Sequence, residues 1–155
     1  MASHEAVRSV PSVRPIVKFL RLPSEDLSEA YLEGLQCTNC GQTYTYEATR
    51  RACARCTGAE AEQFKSVRLS DEGEVWVYTI VHQSFPGVET PFVGAIIDVP
   101  VEGDAEHTVA VRANVVGVDP DPKSVSMGMK VKMQTRIARE DREGNAVALF
   151  EYVPA

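Results

Sequence analysis

What this chain of 155 residues lacks closes off several classes of function. No apolar run approaches the roughly 18 residues of a helical membrane span, so no span is expected. Met1-Ala2-Ser3-His4-Glu5 carries no basic region followed by an apolar stretch, and does not read as a secretory signal. Positive charge is scarce: 16 Lys and Arg against 22 Asp and Glu give a formal net charge of −6. Nucleic acids normally require a basic face, so they are disfavoured as partners, although a local basic patch can exist on an acidic chain. Histidine occurs only at His4, His82 and His107. No G-x-S-x-G turn is present. Ser84 falls on the strand face of His82, but no orienting acid accompanies them. The acidic pairs Asp71 with Glu72, Glu102 with Asp104, and Glu140 with Asp141 sit in turn signals and read as solvated loop charges. No internal repeat or low-complexity tract appears. A chain without catalysis of its own is therefore expected.

All four cysteines lie in two pairs, Cys37-Thr38-Asn39-Cys40 and Cys53-Ala54-Arg55-Cys56. Two residues between cysteines let both sulfurs of a pair reach one cation from one tight turn. Two such turns supply four sulfurs, which suits tetrahedral zinc. Gly41 and Gly58 follow the pairs and tolerate the positive φ such turns often need. Two disulfides, free thiols, or iron held by the same four sulfurs remain alternatives at this point. A closed four-sulfur site has no open position for water or substrate, so it is a structural staple. Paired cysteines without an export signal fit a reducing cytoplasm.

In chain order, Val10, Val13, Ile16, Val17, Phe19 and Leu20 make the first segment apolar, while Pro11 and Pro15 oppose a helix. It reads as an extended arm available to a partner, or as a frayed terminus. Leu22 to Gly34 predicts a short helix, with Ser24 as cap, Leu27, Ala30 and Tyr31 on one face, and Gly34 as stop. Residues 1–34 thus form arm and helix, 35–69 the four-cysteine ribbon, and 70–155 a β unit. Glu74–His82, Phe92–Val99, His107–Val118, Lys130–Arg139 and Ala146–Val153 are rich in β-branched and aromatic residues and separated by turn signals. Five strands without a long helix predict a small antiparallel barrel of the OB type.

A short helix, then Leu35-Gln36-Cys37-Thr38-Asn39-Cys40-Gly41 and Cys53-Ala54-Arg55-Cys56, are followed by Gly73 to Val81, Thr90 to Val99, Met127 to Lys132 and Phe150 to Pro154. In that order these pieces resemble the rubredoxin-like zinc-ribbon plus OB-fold family, domain of unknown function thirty-five, over residues 22–154. Ala52 and Ala54 stand where that family often has proline, and the stretch Val101 to Glu106 is acidic and slightly expanded. The resemblance implies a zinc-binding, non-catalytic subunit of a thiolase-type acyl-CoA complex. Thiolysis, Claisen condensation or retro-aldol cleavage would belong to a thiolase-like partner holding the catalytic cysteine and histidines. A nucleic-acid-binding module of the same architecture is the alternative.

Two surface candidates follow. Lys130, Lys132 and Arg136 alternate along one strand as a basic stripe, extended if Arg139 turns the same way. They are a solvated face, or contacts for coenzyme A phosphates or an acidic partner. Phe85, Pro86, Val88 and Phe92 group aromatic and apolar side chains in a proline-bearing loop, which suits a partner interface with acyl-CoA at the shared surface. They could instead plug the barrel end. Trp76 and Tyr78, two apart, are expected on one face, as core or interface packing rather than base-stacking aromatics. His107 is expected to be exposed.

Overall fold

The computed structural model describes residues 12–59 and 62–155. His4 and the arm before Ser12 lie outside the described residues, as do Glu60 and Ala61. Among the described residues ten strands dominate: β1 Val13–Pro15, β2 Leu20–Arg21, β3 Tyr31–Cys37, β4 Thr43–Thr45, β5 Phe64–Arg68, β6 Glu72–Val81, β7 Phe92–Val101, β8 Asp104–Val115, β9 Lys130–Glu140 and β10 Ala146–Pro154. Among the described residues no helix is long and apolar enough to cross a membrane.

The last five strands close a barrel in the order β10-β8-β7-β6-β9, with β9 returning to β10. Along β7 burial alternates residue by residue, with Val93, Ala95, Ile97, Val99 and Val101 inside. That is the period-2 pattern of a strand with one face in the core. The barrel is mixed rather than purely antiparallel, because β10 runs parallel to β8 at Tyr152 and Val115. The reason is topological. Directions cannot alternate around a closed ring of five strands, so one neighbouring pair must be parallel.

The expected helix between Leu22 and Gly34 is absent. Only a 3-10 turn, Leu27–Glu29, forms there, and Tyr31 already begins β3. Asp26 caps the turn by accepting from the Ser28 N–H at 2.9 Å. Gly34 is not a stop signal. It sits mid-strand, where an added Cβ would lie 3.0 Å from Leu69 Cδ2 and 3.1 Å from the Tyr44 carbonyl oxygen. Strand pairing on both sides of β3 outweighs a weak local helix preference.

The described part of the arm is consumed by the protein's own fold. β1 lies parallel to β10, β2 pairs with β3, and Leu20 is fully buried. Phe19 packs edge-on to Phe150 at 5.7 Å. One continuous core joins Leu20, Leu32 and Leu69 to the barrel valines. Main-chain bonds from Leu69 to Leu32, Ser70 to Pro100 and Glu102 to Arg68, at 2.8–2.9 Å, lock ribbon to barrel.

A bulge in β6 changes the aromatic pattern. Val75 faces Ile97 and Val77 faces Ile96, so Trp76 is the extra residue. Trp76 and Val77 both point outward, whereas Tyr78 packs on the core. The bulge thus places Trp76 and Tyr78 on opposite faces.

Candidate metal centre and partner surface

β3 ends at Cys37, and the chain turns back at once into β4. The first cysteine turn is closed by the Gly41 N–H donating to the Cys37 carbonyl at 2.9 Å. The second is closed by Thr57 donating to Cys53 at 2.8 Å. Gly41 and Thr57 hold equivalent places, four residues after the leading cysteine, and both have positive φ, +79° and +57°. Gly58 is needed for a different reason: an added Cβ there would lie 2.6 Å from the Gln63 amide.

The four sulfurs lie within 4.8 Å of one another. Cys37 and Cys56 sulfurs are 3.6 Å apart, and those of Cys40 and Cys53 are 3.5 Å apart. These separations are far beyond a disulfide bond of about 2.05 Å. They approach the roughly 3.8 Å edge of a tetrahedron with metal–sulfur bonds of about 2.3 Å. The donor set therefore fits a tetrathiolate-bound ion.

Neighbouring donors favour thiolates. The Gln63 amide donates to Cys37 Sγ at 2.9 Å and reaches Cys56 Sγ at 3.8 Å. The Tyr44 hydroxyl lies 3.6 Å from Cys53 Sγ and accepts from the Ala54 N–H at 3.0 Å. The Cys56 N–H, with smaller help from Tyr44 and the Arg55 N–H, pulls the Cys53 thiol down to about 6. Burial opposes ionisation of Cys37, but the Cys40 and Asn39 N–H groups and Gln63 together hold it below its usual value. Cys40 behaves oppositely. The Gln42 N–H favours its thiolate, yet burial and the other three sulfurs push it up to about 11. Four negative sulfurs this close repel one another, and a bound cation removes that conflict. Sequence reasoning did not identify Tyr44 and Gln63. Their spacing from the cysteines carries no signal, because strand pairing rather than turn geometry brings them in.

His107 is half-buried rather than exposed. Its Nδ1 lies 2.7 Å from Asp104 Oδ2, and its ring covers Gly41. Asp104 is not a free loop charge. It is held below the usual carboxylate range, chiefly by His107, and its Oδ2 accepts from the Gln36 amide at 3.5 Å. The acidic stretch 101–106 is a tight hairpin in which Glu102 and Gly103 alone connect β7 to β8. Glu102 pairs with Arg68 at 3.1 Å.

The basic stripe is largely matched by carboxylates. Lys130 meets Glu74 at 2.6 Å and Arg136 meets the buried Glu151 at 2.8 Å. Lys132 is exposed. The register passes from Ile137 opposite Ala148 to Arg139 opposite Val147, which turns Arg139 onto the same face. His82 and Ser84 are both exposed, and among the described residues no hydrogen bond joins them.

Phe85 is 83% exposed and Val88 48%. Phe85 is thus no barrel plug. Phe92 is half-buried and lines a groove of about 380 Å³ on the outer face of β6, β7 and β8, with Val77, Gly94, Ile96 and Arg112. Trp76, 55% exposed, borders the same sheet face. Trp76, Val77, Phe85 and Val88 all leave large apolar side chains exposed, and a contiguous patch of such groups is the kind of surface that partners cover.

A four-sulfur ribbon fused through one core to a five-stranded barrel defines a ribbon-and-barrel protein. Residues 66–136 match the family model described as ChsH2, C-terminal OB-fold domain. A DUF35 domain-containing scaffold protein of Methanocaldococcus jannaschii is 32% identical over 124 residues, covering 78% of this chain and 79% of that one. The chain belongs to the DUF35 family. Benzoylsuccinyl-CoA thiolase subunit BbsA of Geobacter metallireducens is 31% identical over 70 residues, 45% of this chain and 44% of that one. The solved Ltp2-ChsH2(DUF35) aldolase shares the fold at a TM-score of 0.53 and 22% identity, over 80% of this chain and 84% of that one.

Proposed function

We propose that this protein is a non-catalytic scaffold subunit of a thiolase-type acyl-CoA complex, in which the partner performs the thiolysis, condensation or aldol cleavage. The observation that carries this reading is the match to a DUF35 scaffold protein across nearly four-fifths of both chains. The partial match to a benzoylsuccinyl-CoA thiolase subunit points the same way. Cys37, Cys40, Cys53 and Cys56 hold one structural zinc, leaving no cysteine to act as nucleophile.

The partner surface is the loop of Phe85, Pro86, Val88 and Phe92, continued by Trp76 and Val77 across the outer barrel face. An 83% exposed phenylalanine on a proline-bearing loop is an anchor that loses little freedom on docking. Acyl-CoA lies at the shared interface. Two of the three stripe cations are already paired with carboxylates. That pairing and the net charge of −6 argue against the nucleic-acid alternative.

The test is reconstitution. The thiolase-like enzyme from the same cells is assayed for acyl-CoA turnover with and without this chain. Turnover that requires the chain, while the chain alone is inert, supports the reading. A partner fully active and stably assembled without it overturns the reading.

A further inference from the structure

Arg50, Arg51 and Arg55 lie just before and within the second cysteine turn. Arg50 and Arg51 line a surface cavity of about 530 Å³, walled by Leu35, Tyr46, Glu47 and Phe64. That volume falls in the roughly 300–1,000 Å³ range of small-molecule sites.

Arg50 is already held in place. Its guanidinium carbon sits 3.8 Å from the centroid of the Tyr44 ring, and Tyr44 is itself tied to Cys53 and Ala54. Yet the Arg50 Nε is buried and, among the described residues, has no hydrogen-bond partner. Among the described residues its Nη2 alone reaches a side-chain acceptor, Glu47, at the long distance of 3.5 Å. Arg51 is steadied by its Nη1 donating to the Ala48 carbonyl at 2.9 Å. A buried guanidinium N–H without an acceptor is costly, and a phosphate oxygen satisfies it. Two arginines with pinned guanidinium groups suit the fork geometry of phosphate recognition better than flexible lysines. Leu35, Tyr46 and Phe64 give the same cavity apolar and aromatic walls.

We propose that this ribbon cavity binds a nucleotide phosphate, with Arg50 and Arg51 on the phosphate and Tyr46 and Phe64 facing its ring. The inference rests on the cavity alone and holds whether or not a thiolase-like partner binds. The ligand chemistry is shared by free adenosine phosphates and by the nucleotide end of coenzyme A. Glu47 opposes the anion, and its removal strengthens binding.

The experiment titrates the full metal-loaded chain by calorimetry with adenosine 3′,5′-bisphosphate, coenzyme A, AMP and inorganic phosphate. Saturable binding of the bisphosphate is expected, weakened at least tenfold by Arg51→Gln, strengthened by Glu47→Gln and unchanged by Lys123→Gln at an exposed loop lysine. Coenzyme A binding more tightly than the bisphosphate identifies the coenzyme as the source, and equal binding identifies the free nucleotide. Metal content and unfolding midpoint certify each variant. Arg50→Lys keeps the charge but loses the fork, and is expected to weaken binding without loss of metal. If Arg50→Lys does not fold, Arg51→Gln decides. No saturable nucleotide binding at millimolar concentration overturns the proposal. So does binding insensitive to Arg51→Gln, or inorganic phosphate binding as tightly as the nucleotides.

Discussion

Gly41 and His107 touch across the boundary between ribbon and barrel: a Cβ added at Gly41 would lie 2.4 Å from His107 Nε2. The metal turn and the β7–β8 hairpin are fitted against each other with no spare room. Gly41 also has φ +79°, a region that costs other residues about 1–2 kcal/mol. Gly41→Ala therefore loses stability by two routes, and His107→Ala relieves only one. Denaturant unfolding is expected to show Gly41→Ala destabilised by about 2 kcal/mol or more. The double variant is expected to fall short of the summed losses. Strict additivity would show that the contact carries no energy.

Replacing Cys40 by Ser removes one of four sulfurs that lie within 4.8 Å. About one zinc per chain is expected in the parent protein, and a large loss of metal in the variant. The barrel keeps its own core of Val75, Ile97, Val111 and Val131. Circular dichroism is thus expected to retain β signal, while chelator sensitivity rises. Protein purified under reducing conditions with neither zinc nor iron would contradict the assignment.

Asp141 closes the β9–β10 hairpin. Its Oδ1 accepts from the Asn145 N–H at 2.8 Å and the Glu143 N–H at 2.9 Å. Asn145 in turn accepts from the Ser12 N–H at 3.1 Å, which fastens the first described residues. The Asn145 N–H is the main cause that holds the Asp141 carboxyl below its usual value. A folded-state pKa below the unfolded one gives stability that is complete above about pH 4 and is lost as pH falls through the folded value. The stability gap between parent and Asp141→Asn is expected to be widest near pH 6 and to shrink below pH 4. A gap that stays constant down to pH 2 would rule this linkage out.

Phe85→Ala with Val88→Ser removes two side chains that are 83% and 48% exposed. The free chain is expected to melt at an unchanged temperature, because little buried area is lost. Association with a thiolase-like partner is expected to weaken at least tenfold. A lowered melting temperature with association intact would place these residues in the fold and not at an interface.

The five barrel strands and the cysteine cluster were legible in the sequence because each is a short-range pattern. Strand alternation has period 2, and C-x2-C confines two sulfurs to one turn. The false helix at Leu22–Gly34 shows the limit of local reading. Leu27, Ala30 and Tyr31 fit a helical spacing, but the neighbours of β3 are Leu20, Tyr44 and Val67, which are distant in sequence. Trp76 was misplaced for a similar reason: a single extra residue inverts the facing of everything beyond it, and nothing local announces it. The sulfur donors Tyr44 and Gln63, and the pairing of Arg136 with Glu151, depend on long-range register and were not visible from spacing.

A scaffold subunit has a function only with its thiolase-like partner. The most direct measurement is affinity purification of the tagged full chain from its native cells at moderate salt, with mass spectrometry and light scattering of the eluted complex. A thiolase-like chain is expected in fixed stoichiometry, lost on Phe85→Ala with Val88→Ser. Elution of the chain alone, or with nucleic acid in place of such a partner, would contradict the scaffold reading.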